Sequence, residues 1–338
     1  RLTDIGSGLF TERAINIVGV SELFAFTSHT FTNAGATGRL GPTFADMKSH
    51  YSSTVWEQNP AWFNEISGKQ GFQLWTVPDS GTFRITVNGG RGGDTTSTHS
   101  GNNQPGPGAQ IRADFALTKG TKLVIIVGQS ARTAEYTSGE AAGGGGGGTW
   151  VLKENFTTST NDIYMVAGGG AGQANYSHSG LTAASGGTSQ ASVSDTGGGE
   201  TSQGDTMRNA GGGAGWGSNG LGTGSQYPGV QGQDTGGYKP SVGAMGGDYT
   251  YGTPTWDGQG GFGGGGSSSI QVSGGGGGFS GGNAAWNQYA SSSWGHAQGG
   301  TSYIMPNGTG GVIVTNRVFV GTHGNREGSV YIQAPGTF

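Results

Sequence analysis

Short stretches of alternating apolar and polar residues mark most of the chain outside its central part. Phe72-Gln73-Leu74-Trp75-Thr76-Val77-Pro78 alternates with period two, Asp79-Ser80-Gly81 is a turn, and Thr82-Phe83-Arg84-Ile85-Thr86-Val87 alternates again, a strand–turn–strand signal. Residues 109–117, the turn 118–121 and residues 122–128 repeat it. Lys122–Gly128 is continuously apolar after its first residue, which predicts a strand buried on both faces. Strands are also predicted at Leu23–Thr27, His29–Thr32, Thr149–Leu152, Ile163–Ala167, Gly311–Val314 and Gly328–Gln333, where β-branched and aromatic residues concentrate. A helix is predicted over Thr43–Tyr51, preceded by Pro42 and capped by Thr43. Residues 1–22 carry a short apolar strand candidate, Ile15, Ile17, Val18 and Val20, with no obvious partner nearby.

Residues 168–300 break this pattern. Their punctuation is glycine: with Gly143–Gly148 just upstream, the runs are Gly168–Gly170, Gly197–Gly199, Gly211–Gly213, Gly263–Gly266 and Gly274–Gly278, joined by Ser, Thr, Asn and Gln. The layout is nested: 1–22 as a possible assembly segment, 23–167 as β structure, 168–300 as a glycine-rich insert, and 301–338 as closing strands. Glycine supplies 76 of 338 residues, far above the usual ~7%. A glycine run can serve as a flexible linker. It can also form the left-handed polyproline-type helix, three residues per turn, with every N–H and C=O pointing outward. With no side chain on any of its three sides, such a helix can bond laterally to neighbours in a hexagonal array. Fixing glycine is entropically costly, so an array needs many runs together, and six runs suit an array better than a linker.

Charge and chemistry narrow the function. Charged residues are 11% of the chain and the net charge is −4, which leaves no basic surface for nucleic acid. No stretch approaches the ~20 apolar residues of a membrane span. There is no cysteine, hence no disulfide and no thiolate metal site. Aromatic residues at 10%, with 8 Trp, oppose wholesale disorder. The chain opens at Arg1, the mark of processing or of a fragment. His29, His50, His99, His178, His296 and His323 lie scattered, with no pair at metal-ligand spacing. Gly68-Lys69 lacks the context of a phosphate loop, and Asp205, Asp234, Asp248 and Asp257 are too dispersed for a calcium loop. No catalytic residue, metal or cofactor is expected. The sequons at Asn155, Asn175 and Asn307 are what this much Ser and Thr gives by chance. Aromatics of the insert, among them Tyr176, Trp216, Tyr227 and Tyr238, either staple the glycine array or stand exposed on loop tips. The densest clusters, Tyr249, Tyr251 and Trp256 and then Trp286, Tyr289 and Trp294, are the candidate binding residues, suited to a glycan or protein surface.

The ordered set of motifs resembles a known family. Phe31–Gly38 with Gly41-Pro42-Thr43, Gly71–Pro78, Gly81–Ile85, Leu123–Gln129, Gly148–Val151, Met165–Gly170, Gly260–Gly264, Gly274–Phe279 and Gly328–Ile332 are similar to the glycine-rich extracellular region of the anaplastic lymphoma kinase and leukocyte tyrosine kinase receptors. They are equally similar to related glycine-rich proteins of bacteriophage virions. The resemblance implies a mainly β, jelly-roll-like β-sandwich with an inserted bundle of packed polyglycine II helices. In the receptors this region binds a protein ligand; the phage proteins are fibre or adhesin components. The receptors also carry cysteines in and after the region, and a spanning helix and kinase beyond it. Their absence here turns the expectation to the phage or microbial branch. The chain is then expected to be a non-enzymatic structural or adhesive protein of a virion or extracellular surface. One alternative is a homo-oligomeric filament subunit joined through Ile15–Val20 by strand addition. The other is a ligand-binding, receptor-type ectodomain.

Overall fold

In the computed structural model, residues 22–95, 104–132, 142–174, 183–200, 210–222, 235–248, 258–269, 272–285 and 297–338 are described. They form a mainly β protein with two antiparallel sheets and one short α-helix. The strands are β1 (Ser28–Phe31), β2 (Phe63–Ile66), β3 (Lys69–Thr76), β4 (Gly81–Asn88), β5 (Ala109–Leu117), β6 (Lys122–Ile126), β7 (Thr149–Lys153), β8 (Ile163–Ala167), β9 (Tyr303–Ile304), β10 (Val314–Thr322) and β11 (Ser329–Gln333). One sheet has the order β1-β11-β4-β5-β10, the other β2-β3-β6-β7-β8-β9.

The alternating segments are strands as their patterns predict, but the turns between them do something other than close hairpins. β3 and β4, joined by residues 77–80, lie in different sheets, and so do β5 and β6, joined by 118–121. The two crossovers are tied to each other: Val77 N–H donates to Thr121 O at 2.8 Å and Gly120 N–H to Val77 O at 2.9 Å. Each strand's apolar face then meets the other sheet's. Phe83, Ile85, Val87, Ile111, Phe115, Val330 and Ile332 from one sheet and Trp75, Leu123, Ile125, Val151 and Met165 from the other are buried between them, while Phe72 and Trp150, on the opposite face of the six-stranded sheet, are buried against Phe156, Phe262 and Trp216. Val124, Ile125 and Ile126 are all fully buried, as the unbroken apolar run of β6 demands. Leu23–Thr27 forms no strand; its Leu23 N–H donates to Pro78 O.

The helix α1 (Phe44–His50) begins where the sequence places its cap. Thr43 Oγ1 accepts from Asp46 N–H and Asp46 returns a carboxylate oxygen to Thr43 N–H, a complete capping box. Met47 and Tyr51 enter the core beside Trp56, Phe63 and Phe31. His29, on β1, stands edge-on to Phe31, Tyr51 and Trp56, with centroids 4.8–4.9 Å away.

Candidate functional site: a glycine lattice with one open face

Glycine-rich segments stand side by side on one end of the sheets, joined by backbone hydrogen bonds. Run 274–279 gives the rule. Gly274 and Gly277 donate to Gly143 and Gly146; Gly275 and Gly278 to Gly211 and Ala214; Gly276 and Phe279 to Gln298 and Thr301, all at 2.9–3.2 Å. Residues three apart thus address the same neighbour, and each run faces three donors' directions in turn. Its carbonyls accept from three further segments: from Gly172 and Gly169, from Gly266, and from Gly282. Run 142–148 is likewise ringed by segments 90–93, 129, 170–173, 261–263, 266 and 274–277. The same three-residue recurrence joins 169 and 172 to 277 and 274, 170 and 173 to 90 and 93, and 211 and 214 to 267 and 264. Partners run both parallel (274 with 143, 277 with 146) and antiparallel (143 with 173, 146 with 170).

The spacing admits no side chain inside. A Cβ built on Gly145 would collide with Gly275 O, on Gly213 with Gly276 O, and on Gly300 with Gly277 O. Every residue of 142–148 and 274–278 is buried, so the lateral bonds are the backbone's whole supply of partners. The lattice also takes in 89–93, 104–108 and 128–132, where glycine alternates with Arg91, Pro105, Gln129 and Ser130.

The two ends of the lattice differ. Toward the sheets, aromatic side chains lock it down. Phe262 sits between Gly41 and Gly71, whose added Cβ atoms would meet its ring at 2.6–2.8 Å, and lies edge-on to Phe72 at 6.3 Å. Three of the motifs that carry the family resemblance therefore meet at one ring. Directly after it, Gly263 and Gly264 take φ values of +99° and +89° and reverse the chain into the next run, a conformation that suits glycine alone. Trp216 packs on Trp150 and Phe156 and donates from Nε1 to Thr158 O at 2.9 Å; Phe279 stacks on Tyr303 at 4.4 Å. Lys69 Nζ donates to Ser241 O at 2.7 Å, and burial lowers its pKa. Trp216, a possible loop-tip aromatic by sequence, is thus a staple, 3% exposed.

At the other end the hydrogen bonds bring together the residues that flank every internal interval outside the described set. Gly143 bonds Gln173, and Gln173 bonds Gly93; Arg132 bonds Gln259. Ser268 joins Gly258 and Ala142; Ser267 joins Thr235 and Gly211. Ala284 bonds Glu200, Ala285 bonds Ser273, Gln298 bonds Asn283, and Gly212 bonds Leu221. Ala210, Val272, Ala284, Ala285 and Ala297 share one small apolar cluster there. The described residues on this face are those next in sequence to 96–103, 133–141, 175–182, 201–209, 223–234, 249–257, 270–271 and 286–296, which lie outside the described set.

The candidate binding residues Tyr249, Tyr251, Trp256, Trp286, Tyr289 and Trp294 lie outside the described residues, as do Ile15, Ile17, Val18 and Val20 of the candidate assembly strand. The anchors of both binding clusters are described. Asp248 pairs with Arg39 at 3.3 Å and accepts from Gln259 Nε2 at 3.2 Å, beside Gly258; Ala285 and Ala297 flank the second. The sequence gives no hint that these anchors share one face, because the juxtaposition depends on lateral pairing between runs far apart in the chain.

Burial, with the nearby His50 second, lowers the His29 pKa to about 4. His323 Nε2 bonds Gly89 O, and burial lowers its pKa. Arg84 grips Asp114 with two bonds of 2.8 and 2.9 Å on the five-stranded sheet, and this, with Asn316, lowers the Asp114 pKa. Among the described residues no His, Cys, Asp and Glu side chains gather in a group that could hold a metal ion. No described helix is long and apolar enough to cross a membrane.

No family model matches the chain. It is 32% identical over 109 residues to the mouse leukocyte tyrosine kinase receptor, a stretch that takes in 31% of this chain and 11% of the receptor.

Proposed function

We propose that the chain is a non-enzymatic extracellular recognition module of the receptor-ectodomain type. In this reading a jelly-roll-like sandwich carries a bundle of packed polyglycine II helices, and the bundle displays connecting segments to a protein or glycan partner. The observation that carries it is the convergence, on the lattice face remote from the sheets, of the described residues that border all eight internal intervals. Rigid scaffolds that gather variable connections on one side are how binding surfaces are commonly built. The three-residue recurrence of lateral bonds supports the helical reading, since that helix has three residues per turn. The similarity to a receptor supports the class of function.

The absence of cysteine favours a second reading, a virion fibre or adhesin component presenting the same face to a host surface. Both readings make the aromatic clusters the contact. Replacing Tyr251 and Trp256 by Ala is expected to abolish retention on a glycan array or on intact cells while leaving the melting temperature unchanged. Undiminished binding by the folded double variant would remove these residues from the site.

A further inference from the structure

The five-stranded sheet ends in a strand whose outer edge no described strand covers. β10 has nine residues, against four in β1, four in β2 and two in β9, the other sheet-edge strands. Long open edges invite another strand, and proteins usually blunt them with a charge. The one charged residue of β10, Arg317, is drawn away: its Nη2 donates to Ile304 O at 2.8 Å and to Gln190 Oε1 at 2.9 Å, across the seam with β9. Left along the strand are apolar residues open to water, Val318 at 36% and Val320 at 48%, with Ile313 at 59% just before it.

The sequence also predicts an apolar strand-forming segment, Ile15 to Val20, outside the described residues. The chain's own β10 is the competing edge, and the link to it is short. Leu23 is tied to Pro78, three residues before β4. The three residues from Val20 to Leu23 span at most about 11 Å. A strand added outside β10 lies three spacings from β4, about 14 Å. We propose that the open edge of β10 receives Ile15–Val20 from a second copy of the chain, by strand addition.

Because the chain has no cysteine, introduced thiols report this contact without background. Full-length Ile17→Cys and Val320→Cys proteins are mixed and oxidised. A disulfide needs Cα atoms within ~7 Å, so a mixed dimer joining the two variants is expected. Ile17→Cys mixed with Val242→Cys, equally exposed at 48% on the turn Pro240–Val242, is expected to give none. In sedimentation, Val318→Lys with Val320→Lys is expected to weaken self-association at least about ten-fold. The proposal fails if the wild-type chain stays monomeric at every concentration reached. It fails equally if the Val242 control cross-links as well, if the lysine pair leaves association unchanged, or if an Ile17→Cys/Val320→Cys double variant closes within one chain at high dilution.

Discussion

A single methyl group is the sharpest probe of the lattice. Gly145 and Gly324 are both glycines without unusual backbone angles, yet a Cβ on Gly145 collides with Gly275 O while one on Gly324 meets nothing within 4 Å. Gly145→Ala is expected to lower stability by more than ~4 kcal/mol or to prevent folding, since it must break lateral bonds in a fully buried setting. Gly324→Ala is expected to be neutral or slightly stabilising, and thermal melts of the two separate the cases. His29 is the residue-scale pH probe. Its folded pKa of about 4 lies below the unfolded value of 6.5, so the unfolded chain binds the proton first as the pH drops. Stability is complete above pH 6.5 and falls as the pH moves toward 4, by at most about 3 kcal/mol. His323, depressed in the same direction, adds to the slope. Denaturant titrations between these pH values are expected to show a shallower decline for His29→Phe; an unchanged slope would remove His29 as its source.

At the scale of elements, the ring of Phe262 does what no backbone bond can: it fixes one glycine run against the sheets. Phe262→Ala leaves an empty cradle between Gly41 and Gly71, and a loss of about 3–5 kcal/mol is expected from chemical denaturation. The elements themselves were legible to different degrees. Alternation marks β3, β4 and β5, an unbroken apolar run marks β6, β-branched and aromatic residues mark β1, β7, β8 and β11, and Pro42-Thr43 marks the start of α1. The partners of the strands were not legible. Asp79-Ser80-Gly81 and Thr118–Thr121 have the chemistry of hairpin turns, and only the packing of two apolar faces sends each chain into the opposite sheet. β10 was seen only at its first residue, because an edge strand facing water on most positions carries no alternation. Glycine counting found runs such as 143–148 but passed over 89–93, where Arg91 turns outward to Asp94 while its neighbours line the lattice.

At the scale of the molecule, the described runs are held to one another by bonds among themselves. Loop closure costs only about 0.6 kcal/mol per doubling of length. Exchanging 286–296 for a short glycine-serine linker is therefore expected to leave amide protection at Gly145, Gly146, Gly276 and Gly277 intact by hydrogen exchange. Loss of that protection would mean that the interval holds the runs together. The Tyr and Trp clusters are legible in composition; that the residues bordering them share a side is not, since it rests on bonds such as Gln298 to Asn283 and Ser268 to Gly258. A rod of bare peptide carries no ruler. Sliding run 274–279 by three residues would offer nearly the same donors to nearly the same acceptors. The backbone alone cannot reject that misalignment, but Phe279 would leave Tyr303, and Phe262 and Trp216 hold their own runs in the same way. The unique alignment of the whole assembly is thus written in a few large rings at its base, and those rings, more than the glycines, decide which of many near-equivalent stackings is native.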